Sequence, residues 1–169
     1  MSVVVWDGKT LAADRQCTNF GLRYACTKMR RLTDGTVLAI VGHMDSGLLM
    51  MDWYESGCKK EEWPLMDWYE SGCKKEEWPL VQSDNDRWSR LIILFPDGRL
   101  AQYERCPALE YITTAPLAWG GGADFAMGAM AMGADARRAV EIASIYSEGC
   151  GFGVEAFDVM PLALGAAGD

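Results

Sequence analysis

Apolar residues in this chain come in short runs punctuated by turn signals, and the dominant period is that of strands. Residues 2–6 are a serine, three valines and a tryptophan, Asp7-Gly8 follows, and apolar character resumes over residues 9–14. An Asp-Gly pair between two such runs predicts a β-hairpin, because the favoured two-residue turns need positive φ. Residues 22–28 read as a further strand. Asp34-Gly35 then leads into Thr36-Val37-Leu38-Ala39-Ile40-Val41, a continuous run of the buried-strand type. Ser46 is placed to cap a helix carrying Leu48, Leu49, Met51 and Trp53. Residues 91–95, the turn Pro96-Asp97-Gly98 and residues 99–103 form a second predicted hairpin. Helices are expected over residues 123–132 and, after Gly133, from 134 to about 147. Residues 151–159 read as a closing strand. Strands, a helix, strands, two helices and a strand fit an α+β layered domain better than a parallel β-α-β sheet.

One stretch breaks the pattern. Residues 51–65 and 66–80 are identical copies in tandem. A 15-residue step turns a helix face by about 60°, and Pro64 interrupts any continuous helix. The copies therefore cannot share one buried stripe, and residues 51–80 are expected to bulge from the surface, where loops tolerate added length. Perfect identity points to a recent duplication, an engineered insertion or a sequence artefact. The expected organisation is a single domain over residues 1–160 with a flexible, Ala/Gly-rich tail over 161–169.

Composition narrows the function classes. The chain has 169 residues, half of them hydrophobic and 11% aromatic, enough for a substantial core. No apolar run approaches the ~18 residues that span a bilayer, and no secretory leader fits ahead of the first strand, so a cytoplasmic protein is expected. A net charge of −8 argues against nucleic acid as partner. Of six cysteines, Cys58 and Cys73 are duplicates, and Cys17, Cys26, Cys106 and Cys150 are scattered. With His43 the lone histidine, no zinc-type cluster is expected. The thiols are read as reduced, and neither metal nor other cofactor is expected.

Candidate chemistry begins at Ser2. A residue this small normally lets the initiator methionine be trimmed, which would leave a hydroxyl and a free α-amine on one residue. An α-amine ordinarily titrates near ~7.7–8.0, which suits it as a general base for the neighbouring hydroxyl. Many chains begin Met-Ser without such a role. Taken alone, Lys28 and Asp14 read first as a surface ion pair, and Gly42 reads equally as a turn glycine. His43 lacks the Gly-x-Ser-x-Gly elbow that a serine triad would bring. Gly120-Gly121-Gly122 lacks the Lys-Ser/Thr of a phosphate loop and reads as a tight strand-to-helix turn. Met127, Met130 and Met132 read as core on a helix face.

Order and spacing add to this. Lys28-Met29-Arg30-Arg31-Leu32, the Asp34-Gly35 turn and the run Val41-Gly42-His43-Met44-Asp45 resemble the proteasome β-subunit family, especially its bacterial HslV type. Residues 118–126 are similar to that family's Gly-Ser-Gly turn opening a helix, and residues 134–143 to its Ala-rich helix. The resemblance spans residues 2–50 and 90–159. It implies a four-layer αββα sandwich of two antiparallel sheets, the N-terminal-nucleophile hydrolase fold. It also implies Ser2 as nucleophile and base, Lys28 as electrostatic activator, Asp14 as its orienter and Gly42 as oxyanion donor. By the same resemblance the substrate is a peptide or unfolded protein, the assembly a homo-oligomeric ring and the partner an ATP-dependent unfoldase, with neither nucleic acid nor membrane involved. The alternatives are a silent ring or scaffold protein and an amidohydrolase acting on a small amide. The chain departs from the family at Ser2, where threonine is usual, at Gly121, where the family has serine, and in a first hairpin about four residues shorter. Tyr146 or Ser147 falls near the place of a family aspartate.

Overall fold

A computed structural model describes residues 2–56, 88–104 and 108–159. Residues 57–80 of the duplicated stretch and the C-terminal tail lie outside these residues, so that part of the expected surface bulge and the flexible tail fall beyond them. At the start of the first copy, by contrast, Met51 and Tyr54 are buried in a helix rather than bulging from the surface. Among the described residues three helices accompany antiparallel sheets. The predicted opening hairpin is β1 (Val3–Trp6) and β2 (Thr10–Asp14), in register Val4 to Ala13 and Trp6 to Leu11. The Asp7 side chain accepts from the backbone N–H groups of Lys9 and Thr10, which closes the turn.

The strand expected at 22–28 is present but ends at Ala25, and it belongs to a hairpin that was not expected. This separate two-stranded hairpin comprises β3 (Gln16–Asn19) and β4 (Leu22–Ala25), and β5 (Met29–Arg31) begins after Lys28. Its two-residue loop, Phe20 and Gly21, has positive φ at both positions. β6 (Val37–Gly42) follows as expected, then α1 (Met44–Glu55). His43 rather than Ser46 is the N-cap of α1; Ser46 lies buried in its first turn. β7 (Ser89–Leu94) and β8 (Leu100–Tyr103) form the second predicted hairpin. β9 (Glu110–Ile112) and β10 (Leu117–Gly120) were not expected. α2 (Ala123–Ala131), α3 (Ala136–Tyr146) and β11 (Val154–Asp158) complete the described chain close to their predicted places.

The larger sheets run β10-β1-β2-β11 and β5-β6-β7-β8-β9. Strand alternation sorts their buried residues into three clusters. Val4, Trp6, Leu11 and Ala13 pack with Met29, Ala39, Val41 and Ile92, so these faces of the two sheets meet. Val3, Val5 and Ala12, on the alternate face, pack on Ala126, Ala139, Val140 and Ala143 from α2 and α3. Leu38, Ile40, Leu91 and Ile93 pack on Met50, Met51 and Tyr54 of α1. Among the described residues no helix is long and apolar enough to cross a membrane.

Candidate active site

The four residues singled out in the sequence fall into one region. Asp14 closes β2 and is fully buried, while Lys28 stands just ahead of β5 with 3% of its surface exposed. Their pairing, Lys28 Nζ to Asp14 Oδ1, is 2.7 Å long with side chains 4% and 0% exposed. That burial excludes the surface ion-pair reading. A buried carboxylate is tolerated only when its oxygens are well partnered, and four donors meet this one. Oδ1 also accepts from Val3 N at 2.9 Å, and Oδ2 accepts from Gln16 N at 2.9 Å and Gly151 N at 3.1 Å. Because Val3 is the residue after Ser2, the shortened hairpin still ties the chain start to the ion pair.

Lys28 is fixed on its other side by its carbonyl, which accepts from Ile40 N at 3.1 Å. Burial pulls its ammonium below the ordinary lysine value, and the Asp14 charge and hydrogen bond oppose that shift.

Ser2, Lys28 and Gly42 line one cleft of about 170 Å³, with Gln16, Cys17, Thr18, Asn19 and Tyr24 on its hairpin side and His43 to Asp45 beside Gly42. Asp14 sits behind Lys28 rather than on the cleft wall. Gly42 has φ +115°, and a Cβ there would fall 2.5 Å from the Trp88 carbonyl oxygen and 2.9 Å from Ser89 Cα. Only glycine fits. The glycine run answers to the same economy of space: a Cβ on Gly120 would stand 2.1 Å from the Ser2 carbonyl oxygen, and one on Gly122 2.7 Å from Cys150 Sγ. The run is therefore the strand-to-helix turn expected, and its smallness lets β10 lie against the chain start.

Several contributors were not singled out by the sequence. Gln16 is buried, and its Nε2 donates to the Glu148 carbonyl at 2.8 Å. Gly151 supplies a donor to Asp14, and a Cβ there would meet Gln16 Oε1 at 2.8 Å. Glu155, paired with Ala13, has a buried Oε2 without a hydrogen-bond partner among the described residues. Burial raises its carboxyl above the usual range, against the pull of the Lys28 backbone N–H, Arg15 and the Met29 backbone N–H. The Cys150 thiol is also raised, chiefly by burial. One expectation is overturned outright: Cys17 and Cys26, read as reduced, are joined in a disulfide across the base of β3–β4. Their sequence separation of 9 gave no Cys-x-x-Cys signal; the hairpin, unrecognised in the sequence, brings them together.

The chain matches no protein-family model and no curated protein. Solved structures do match. Thiobacillus denitrificans BPH, in complex with epoxomicin, superposes with a TM-score of 0.65 at 21% identity, covering 95% of this chain and 100% of that one. Eukaryotic HslV from Trypanosoma brucei superposes with a TM-score of 0.62 at 18% identity, covering 93% and 97%. The fold is the HslV-type fold. A proteasome-like architecture follows from the superpositions; at these identities they carry the fold and leave the chemistry to the residues.

Proposed function

We propose that this chain is a proteasome-like peptidase subunit whose processed N-terminal Ser2 cleaves peptide bonds, built as the four-layer αββα sandwich of that fold. The convergence of Ser2, Lys28 and Gly42 on one cleft, with Asp14 clamped behind the lysine, carries the reading. After loss of Met1, the Ser2 α-amine takes the hydroxyl proton, directly or through water, as Oγ attacks the substrate carbonyl carbon. Lys28 favours the neutral amine and the developing alkoxide, and the Gly42 N–H stabilises the tetrahedral oxyanion. Collapse releases the amine half of the peptide and leaves an ester on Ser2. Water, deprotonated by the same α-amine, then releases the acid half and restores the hydroxyl. Asp14 acts through Lys28, as a positioning residue.

The assembly in this reading is a homo-oligomeric ring, working in the cytoplasm on peptides or unfolded proteins delivered by an ATP-dependent unfoldase. The test is intact mass followed by a peptide epoxyketone probe. Loss of Met1 and labelling that disappears in Ser2→Ala support the peptidase. Retained Met1, or labelling unchanged in Ser2→Ala, sinks it and leaves the silent ring or scaffold reading. Turnover of small amides with no turnover of peptides would favour the amidohydrolase.

A further inference from the structure

The β3–β4 hairpin pairs with neither of the larger sheets, yet it forms one wall of the cleft through Thr18, Asn19 and Tyr24. Its placement is set at its base. There Cys26 N donates to the Arg15 carbonyl at 2.8 Å, and the Cys17–Cys26 disulfide spans a Cα separation of 5.9 Å. The bridge lies between the two members of the buried ion pair in sequence: Cys17 follows Asp14 by three residues and Cys26 precedes Lys28 by two. Cys17 itself lines the cleft, and its Sγ touches Met44 Sδ at 3.8 Å, on the opposite wall beside His43 and Gly42. One covalent bond therefore closes most of the loop that joins Asp14 to Lys28, and one of its sulfurs touches the facing side of the opening. In a reducing compartment, disulfides that do form are usually transient, catalytic or sensing ones.

We propose that the Cys17–Cys26 disulfide is a redox-operated positioning element of the Ser2 cleft: oxidised, it holds the hairpin wall and Lys28 in the acylating arrangement, and a dithiol reductant releases them. This rests on the reading of Ser2 as nucleophile. In the reductive step a thiolate of the dithiol attacks Cys26 Sγ, the half-buried partner; the S–S bond breaks, its electron pair goes to Cys17 Sγ, and that sulfur takes a proton. The second thiol of the reductant then attacks the mixed disulfide, leaving a cyclic disulfide and freeing the Cys26 thiol. The dithiol is oxidised by two electrons and the protein bridge reduced by two. Oxidised glutathione, a disulfide, drives the reverse exchange. Cys17 and Cys26 act through Lys28 and the cleft wall rather than on the substrate. A shift of about 1 Å in a reacting arrangement can cost about 10²-fold in rate, so release of the loop is expected to slow acylation at least about tenfold.

The experiment uses the full chain. Oxidised protein, protein reduced with dithiothreitol and desalted under argon, and protein reoxidised with oxidised glutathione are each timed against a peptide epoxyketone. The expected result is fast, slow and fast labelling of Ser2, with Cys26→Ser slow throughout and indifferent to dithiothreitol. Equal rates in the three wild-type samples would overturn the proposal, as would alkylation of Cys26 in protein never reduced. If oxidised wild type does not label at all, the nucleophile reading has failed, and amide hydrogen exchange decides the positioning claim by itself. Faster exchange at Lys28 and across residues 16–26 on reduction, with β6 and β7 unchanged, upholds it; unchanged exchange overturns it.

Discussion

Replacing Lys28 with methionine keeps the length of the side chain but leaves the Asp14 carboxylate buried without its cation. Removing one partner of a buried pair costs about 3–5 kcal/mol, because the remaining charge cannot reach water. Urea denaturation of Lys28→Met is expected to read a loss of that size, together with loss of Ser2 labelling. Gly42→Ala tests a different physics. At φ +115° with the Trp88 carbonyl 2.5 Å from the new Cβ, the backbone must move, and acylation is expected to fall about 10²-fold. Labelling kinetics of the folded variant check it. Glu155 gives a pH signature. Its folded carboxyl is raised by burial above the ordinary 4.5. The two states bind the same proton only well below that value; as pH climbs through 4.5 the unfolded chain releases it first, the folded state binds more protons, and stability falls until the raised value is passed. Melting temperatures of Glu155→Gln are expected to exceed wild type at pH 7 and to lose that advantage well below pH 4.5.

Among the elements, the β3–β4 hairpin is where a single covalent change reads out most cleanly. The bridge closes a short loop, and chain-entropy arguments give it about 2–3 kcal/mol. Reduced protein, or Cys26→Ser, is expected to lose that much in urea denaturation; loss of none would mean the hairpin is held by its other contacts. This is also the element the sequence hid. β1 and β2 were legible because Asp7-Gly8 is an unambiguous turn between β-branched runs. β4 lay within the strand expected at 22–28, but its hairpin with β3 was not legible, since Asn19-Phe20-Gly21 puts a phenylalanine at φ 47°, where asparagine or glycine is the usual cue. β10 was hidden for another reason: it is four residues long, and its identity comes from pairing with Val3–Trp6 across the sheet, not from its own pattern. Ser46 looked like a cap by type, but the preceding chain turns at His43 instead. In the candidate site, Ser2, Asp14, Lys28 and Gly42 were named by the resemblance to the HslV type, and the residues alone did not distinguish them. Gln16 and Gly151 could not be named, because both contribute through backbone N–H groups, which every residue but proline possesses.

At the scale of the whole molecule, large apolar side chains remain in the open on α2 and α3. Phe125 and Tyr146 stack with ring centroids 5.9 Å apart and are 43% and 66% exposed, with Ile145 and Met132 also exposed. Patches of this kind mark surfaces that other chains cover. Light scattering after size exclusion is expected to give a closed multiple of the 18.7 kDa chain; a strict monomer would count against the ring.

The donors around Asp14 have a consequence for timing. Val3 and Gln16 are its neighbours in synthesis, but Gly151 arrives 137 residues later. A nascent chain that has emerged only as far as β8 has Ser2 and Lys28 yet lacks the donor that completes the carboxylate's shell and the strand that flanks it. The shell around the buried ion pair is thus closed only when nearly the whole described domain has left the ribosome, and if the proposed peptidase reading holds, the cleft gains its activity no earlier than that.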